Sequence, residues 1–145
     1  MVDGVLSSRV GYTGGTEHGS PPTYETVCAR NNTFTEAVRL HLDTSVLSFE
    51  ELMRLFVAHP RVCATTVAAE RSQTRIAVWP QDASQERVAR RVLAEAGKAD
   101  AVMLLPPSMW YDAEEYHQDF IAEEKDFPDW SEGSDDSGPG TAWGL

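Results

Sequence analysis

A run of mixed apolar and polar residues is followed by two glycines in the stretch Val5-Leu6-Ser7-Ser8-Arg9-Val10-Gly11-Tyr12-Thr13-Gly14-Gly15. Residues 5–12 are predicted to form a strand that ends in these glycines. Residues 13–33, which follow, are rich in Gly, Pro, Asn and Thr, and we expect an ordered loop without long elements. Glycines have no side chain, so Gly14 and Gly15 allow other parts of the backbone to approach this loop closely.

The rest of the chain alternates short strands with amphipathic helices. From Glu36 onwards apolar and polar side chains alternate, which predicts a half-buried strand. Ser48-Phe49-Glu50-Glu51 is a capping box that begins a helix, and His59-Pro60 ends it. Residues 61–72 are predicted to be irregular. Further strands are predicted at 74–79 and 101–105, and further helices at 85–96, closed by Gly97, and around Ala113, Tyr116, His117 and Phe120.

This order of elements indicates an α+β fold in which helices pack on a mixed or antiparallel sheet. With 145 residues, of which 41% are hydrophobic, the chain is large enough for one domain with a buried core. We place that domain at residues 1–126. Residues 127–145 mix acidic side chains with Ser and Gly, which predicts an acidic, disordered tail.

Composition narrows the function classes. The net charge of −11 argues against general affinity for nucleic acid or an anionic membrane. Only two cysteines, Cys28 and Cys63, occur, which favours a reducing compartment over a disulfide framework. No signal peptide is visible, and no apolar run reaches the roughly 18 residues that a spanning helix needs. We therefore expect a monomeric cytoplasmic protein, unless a targeting segment precedes Met1.

Four blocks stand in a recognisable order: Gly11-Tyr12-Thr13-Gly14-Gly15-Thr16, Pro22-Thr23-Tyr24 with Val27-Cys28, Glu36-Ala37-Val38, and Tyr111-Asp112-Ala113-Glu114-Glu115-Tyr116-His117-Gln118. Together they resemble the class A peptide methionine sulfoxide reductases, which reduce the S epimer of methionine sulfoxide. The resemblance implies a two-layer sandwich of ferredoxin-like type. It also implies oxidised methionine, in proteins or free, as substrate, no metal or bound cofactor, and an external thiol reductant, thioredoxin.

The resemblance implies catalytic roles for Glu36 and Tyr24. Glu36 matches the family glutamate that donates a proton, and burial beside apolar groups would raise the pKa of such a carboxyl. Tyr24 matches the tyrosine whose hydroxyl binds the sulfoxide oxygen. Judged without the resemblance, Glu36 is interpreted as a solvent-facing residue at a strand end, and Tyr24 as a packing residue with a hydrated hydroxyl.

Other positions depart from the family pattern. The family nucleophile lies in a Gly-Cys-Phe-Trp-Gly motif upstream of the glycine-rich segment, and this sequence does not contain that motif. A family tyrosine and a family aspartate are replaced by Thr74 and Ala69. Cys28 matches a cysteine that is not the nucleophile, Cys63 matches none, and neither lies in a Cys-x-x-Cys motif. His117 is interpreted as structural, a residue that satisfies a hydrogen bond in the core.

Three hypotheses follow. In the first, the chain is a truncated reductase without the family's first strand and the helix behind its cysteine, and the complete protein is recycled through thioredoxin. In the second, it is a non-catalytic relative that binds methionine-containing peptides as an interaction module. A third, weaker hypothesis makes Cys28 or Cys63 a substitute nucleophile. By the first two, this chain alone is inactive as a reductase.

Overall fold

The computed structural model describes residues 2–15, 21–28, 33–68 and 75–118. The helices and strands of this part are β1 (Val5–Thr13), α1 (Tyr24–Cys28), β2 (Thr35–Leu42), α2 (Phe49–Ala58), α3 (Pro60–Ala64), β3 (Ala77–Val78), α4 (Ala83–Glu95), β4 (Met103–Leu104) and β5 (Tyr111–Asp112). Residues 115–118 add a helical turn, called the 115–118 turn below. The protein is therefore α+β, as predicted.

The sheet that carries the candidate site is centred on β1. It is antiparallel, with the strand order β2-β1-β5. Tyr12 lies opposite Glu36 on one side and opposite Tyr111 on the other. Strands β3 and β4 form a separate parallel pair. The described residues thus contain both parallel and antiparallel pairing.

Three clusters of buried side chains make up the described core. The largest gathers the inner faces of α2 and α4 with β3, and fully buried Met53 belongs to it. The second contains the side chains of Val10, Tyr12, Val27, Phe34 and Ala113, with Tyr24 and Tyr111 packed against it. A smaller third cluster is formed by Ala37, Ala77 and Trp79. The second cluster surrounds the candidate site, which is described below.

The best local signals are confirmed. Ser48 Oγ accepts a hydrogen bond from the amide of Glu51 (3.2 Å), and the Glu51 carboxylate accepts one from the Ser48 amide (2.8 Å), so the capping box begins α2. Gly97 follows α4 with a φ of +68°, a left-handed conformation that suits glycine at a helix end.

Several local predictions differ from the structure. The strands expected at 74–79 and 101–105 are present only as the two-residue strands β3 and β4. Residues 61–72 were expected to be irregular, yet Pro60–Ala64 form α3, because Pro60 fits the first helical turn and the His59 ring accepts a hydrogen bond from the Arg61 amide. Helix α4 begins earlier than expected, since Asp82 caps it through the Gln85 amide (2.8 Å). Strand β5 was not predicted.

Some predictions lie outside the described residues. They concern Ala69, Thr74, Phe120 and the tail 127–145. Within the part of the chain that the structure describes, no helix has both the length and the apolar character needed to cross a membrane.

Candidate active site

Strands β1 and β2 place Tyr12 and Glu36 side by side. They are directly opposite each other in the ladder, so their side chains lie on the same face of the sheet. Tyr12 has no exposed surface, and Glu36 is only 9% exposed. Burial raises the pKa of Glu36, and the negative charge of Glu114 raises it further. A carboxyl that stays protonated at higher pH than usual can act as a proton donor.

Tyr24 is the first residue of α1. Thr23, which directly precedes α1, caps its first turn, because its Oγ1 accepts the amide hydrogen of Thr26 (3.3 Å). The backbone amide of Tyr24 donates instead to Glu114 Oε1 (2.9 Å). The Tyr24 ring packs against the second core cluster, and its centroid lies 4.6 Å from that of the His117 ring.

Glu114 connects Tyr24 to Tyr12, the residue that lies opposite Glu36 in the ladder. Besides the Tyr24 amide, it accepts a hydrogen bond from the Tyr12 hydroxyl (2.7 Å). Although burial acts to raise the pKa of Glu114, these two hydrogen bonds hold it below its usual value. Burial, and next the bond to Glu114, raise the pKa of Tyr12, which remains a donor. The site thus contains one carboxyl whose pKa is raised and one whose pKa is lowered.

Sequence reasoning did not assign roles to Tyr12 and Glu114. Both lie within the quoted motifs, but they are 102 positions apart. The available signal was weak: alternation along β1 puts Tyr12 on the face of Val10, which is buried. Nothing in the sequence spacing indicates which buried acceptor the tyrosine would meet.

The 115–118 turn is held against β1 by the side chain of Gln118. The amide of Val10 donates to Gln118 Oε1 (2.9 Å), and Gln118 Nε2 donates to the carbonyl oxygens of Val10 (2.7 Å) and Ala113 (3.1 Å). The Ala113 amide also donates to the Val10 carbonyl (3.0 Å). Gln118 therefore continues the hydrogen-bond pattern that β5 begins, and it fixes the position of the segment that carries Glu114.

The structure agrees only in part with the structural role expected for His117. Its ring lies between those of Tyr24 and Tyr116, at centroid distances of 4.6 and 4.2 Å, which fits a packing role. Its Nε2 atom, however, is buried and makes no hydrogen bond within the described structure, so the predicted core hydrogen bond is not made by this nitrogen. Oε2 of Glu114 lies 4.0 Å from this nitrogen.

The glycines after β1 permit close contacts, but the groups that approach them are side chains rather than the backbone that was expected. Gly14 has a φ of +76°, and a Cβ atom there would lie 2.7 Å from Arg75 Nη2. A Cβ on Gly15 would lie 2.5 Å from the ring of Phe34. Arg75 Nε also donates to Thr35 Oγ1 (2.7 Å), next to Glu36. The glycine loop and Arg75 therefore pack tightly around the start of β2.

The two cysteines occupy different elements. Cys63 is an exposed free thiol on α3, and its Sγ donates to the carbonyl oxygen of Val57 (3.3 Å). Cys28 ends α1, four residues after Tyr24, and its side chain is outside the described structure. Among residues 2–15, 21–28, 33–68 and 75–118, no group of three or more His, Cys, Asp or Glu side chains could hold a metal ion.

Comparison with solved structures supports the fold. Mxr1 from Saccharomyces cerevisiae in its reduced form superposes with a TM-score of 0.65 at 23% identity, covering 86% of this chain and 75% of that one. Methionine sulfoxide reductase A of Corynebacterium diphtheriae superposes with a TM-score of 0.62 at 25% identity, covering 91% of this chain and 71% of that one.

Sequence comparison identifies the family. The family model described as "Peptide methionine sulfoxide reductase" matches residues 1–132. The peptide methionine sulfoxide reductase MsrA of Clavibacter michiganensis is 36% identical over 127 residues, which covers 83% of this chain and 71% of that protein. A protein of Schizosaccharomyces pombe named as a probable peptide methionine sulfoxide reductase is 29% identical over 130 residues, with 84% and 75% covered. The chain therefore belongs to the class A peptide methionine sulfoxide reductase family.

Proposed function

We propose that this site binds the sulfoxide group of oxidised methionine and presents a proton to its oxygen. The observation that carries the proposal is the environment of Glu36: a nearly buried carboxyl, with a raised pKa, in a site that Glu114 connects to Tyr24. A neutral carboxyl and a tyrosine hydroxyl are both donors to an oxygen on which negative charge develops. These are the two residues for which the family resemblance implies those roles.

The complete reaction also needs a thiol. A thiolate attacks the sulfur of the sulfoxide, the sulfur–oxygen bond breaks, and methionine leaves while the oxygen ends on the thiol as a sulfenic acid. A second thiol then forms a disulfide and releases water, and an external dithiol such as thioredoxin restores the enzyme. In sum, one methionine sulfoxide and two thiols give methionine, one disulfide and one water. We propose this chemistry for the complete reductase.

For this chain on its own we propose binding without turnover. Its sequence has no Gly-Cys-Phe-Trp-Gly motif, and its exposed thiol, Cys63, lies on α3 beside the helical cluster rather than in the cluster around Tyr12. The same observation favours a second candidate function, a non-catalytic module that binds methionine-containing peptides. The ferredoxin-like two-layer architecture, a monomeric state and a cytoplasmic location remain parts of the proposal.

Binding is the first test. The 145-residue chain is titrated with three forms of one peptide, containing (S)-methionine sulfoxide, (R)-methionine sulfoxide or methionine, and the Kd is measured by calorimetry. We expect the S epimer to bind most tightly, and Tyr24→Phe and Glu36→Leu, which each remove a donor, to weaken it about tenfold, as the loss of one good hydrogen bond predicts. Equal affinity for the three peptides would refute sulfoxide recognition.

Turnover is the second test. With dithiothreitol as reductant, we expect no sulfoxide reduction above background. Reduction that disappears in Cys28→Ser but persists in Cys63→Ser would show that Cys28 acts as a nucleophile and that binding without turnover is wrong. An in-frame Gly-Cys-Phe-Trp-Gly coding stretch upstream of Met1 would contradict the non-catalytic candidate function.

A further inference from the structure

Glu114 is the point at which three elements of the site meet. Its Oε1 accepts the hydrogen bond from the Tyr24 amide of α1, and its Oε2 accepts the one from the Tyr12 hydroxyl of β1. On the 115–118 turn, His117 Nε2 lies 4.0 Å from the same Oε2. A single carboxylate therefore joins elements that are far apart in the sequence.

The bond to Tyr24 fixes a backbone position. An N–H group in the first turn of a helix has no acceptor within that helix. Helix α1 has only five residues, and a helix this short is not stable by itself in water. Contacts from outside the helix therefore decide where Tyr24 lies, and the 2.9 Å bond to Glu114 is a direct one to its backbone.

The charge of Glu114 has a second consequence. Hydrogen bonds from the Tyr24 amide and the Tyr12 hydroxyl outweigh burial and lower the pKa of Glu114, and its charge then adds to burial in raising the pKa of Glu36. Two carboxyls whose environments push their pKa values apart can serve as a neutral donor and an ionised partner in one site. Among the described residues, the titratable side chains near the pair include Tyr12 on β1, Tyr24 on α1, and Tyr116 and His117 on the 115–118 turn.

We propose that Glu114 is the positioning residue of this site: its two carboxylate oxygens hold Tyr24 and Tyr12 in place while its negative charge acts on Glu36. The inference rests on the proposed function, in which Tyr24 and Glu36 act on the sulfoxide oxygen. Glu114 itself exchanges no proton with the substrate, and its effect passes through the two residues that do.

Two variants separate the two effects. Glu114→Gln keeps the size of the side chain and removes its charge, so the titration midpoint of the Glu36 carboxyl, followed by carbon-13 NMR, should move to lower pH. Glu114→Asp keeps the charge but shortens the side chain by one methylene, so the Glu36 midpoint should stay raised. In that variant the Tyr24 amide should exchange with deuterium roughly tenfold faster, because it loses a bond to a charged acceptor.

Asp112→Asn is the matched control. Asp112 is also a carboxylate on this segment, but Arg9 binds it at 2.8 Å and Trp110 donates to it at 2.7 Å. We expect Asp112→Asn to leave the Glu36 midpoint and Tyr24 exchange unchanged. A Glu36 midpoint that is the same in the parent and in folded Glu114→Gln would overturn the proposal.

The parent protein gives a test that needs no variant. If Glu114→Gln does not fold, the carbon-13 titration of the parent decides, since Glu114 must titrate at lower pH than Glu36, and the reverse order would refute the inference. All these measurements are made without substrate. If the sulfoxide peptide does not bind but the titrations are as expected, only the proposed function is refuted. If the peptide binds but the titrations are not as expected, only the role of Glu114 is refuted.

Discussion

The hydroxyl of Tyr12 donates a 2.7 Å hydrogen bond to the carboxylate of Glu114, which lies 102 positions later in the chain. Tyr12 is fully buried at the centre of the β2-β1-β5 sheet, whereas Glu114 follows the edge strand β5. A buried hydroxyl needs a partner, and this one finds it in a carboxylate that also binds the backbone of Tyr24. The stability of the fold and the geometry of the site therefore depend on the same contact.

Tyr12→Phe tests this contact against a matched variant. Removing the Tyr12 hydroxyl leaves Glu114 without one donor and should lower the free energy of unfolding by about 1–2 kcal/mol. The neighbouring Tyr111 carries a buried hydroxyl that makes no hydrogen bond within the described structure. Tyr111→Phe should therefore be neutral or slightly stabilising in urea unfolding. Equal losses in the two variants would show that the bond to Glu114 contributes nothing specific.

Glu36→Gln tests the raised pKa of Glu36 through the pH dependence of stability. In the folded state the pKa lies above its ordinary value of 4.5, so above that value the folded protein binds more protons than the unfolded chain. Stability is then lost as the pH rises from 4.5 through the raised pKa. Glu36→Gln lacks this loss, so its stability relative to the parent should increase as the pH rises through this window and then level off.

Glu51→Gln tests a pKa shift in the opposite direction. Hydrogen bonds from the backbone and hydroxyl of Ser48 lower the pKa of Glu51 below 4.5, so its contribution to stability is present above 4.5 and is lost as the pH falls through the lowered pKa. Glu51→Gln should therefore be less stable than the parent at neutral pH. Urea unfolding at several pH values checks both variants, and parallel pH profiles for the two would contradict the assigned shifts.

Gly11→Ala tests the close approach of β5 to β1. A Cβ atom on Gly11 would lie 2.4 Å from the carbonyl oxygen of Tyr111 and 2.3 Å from the ring of Trp110, so β5 must move. We expect a loss of about 1–3 kcal/mol in unfolding free energy and weaker sulfoxide-peptide binding, because the segment that carries Glu114 shifts.

Gly97→Ala is the control for that prediction. Gly97 has a positive φ, but nothing lies within 4 Å of the added Cβ. The substitution should cost about 1 kcal/mol through backbone strain alone and leave the Kd for the peptide unchanged. If Gly11→Ala binds the peptide with parental affinity, binding does not depend on the position of β5.

Gln118→Leu tests the anchoring of the 115–118 turn. The variant removes the side-chain bonds to the backbone of Val10 and Ala113, which should cost about 1–3 kcal/mol and weaken peptide binding. Ser48→Ala loses the cap of α2 and should cost about 1 kcal/mol without changing affinity. If both variants bind the sulfoxide peptide like the parent, Gln118 is an anchor for stability only.

Local patterns in the sequence predicted much of the fold. The alternation from Glu36, the capping box at Ser48 and the glycine after α4 each act within a few residues, and the structure confirms all three. The predictions failed where a cap was overlooked, as at His59 and Asp82, and where a strand of two residues, β5, depends entirely on its partner β1.

The sequence by itself determined the family, through four motifs in order, and with it the choice of Glu36 and Tyr24. It could not determine what surrounds them. Whether Glu36 is buried depends on its register opposite Tyr12, and its raised pKa depends also on Glu114, which the pairing of β5 and the bonds of Gln118 bring to the site. The burial of Glu36 and the charges around it are determined by residues that are distant in sequence and close in space, so only the tertiary structure decided them.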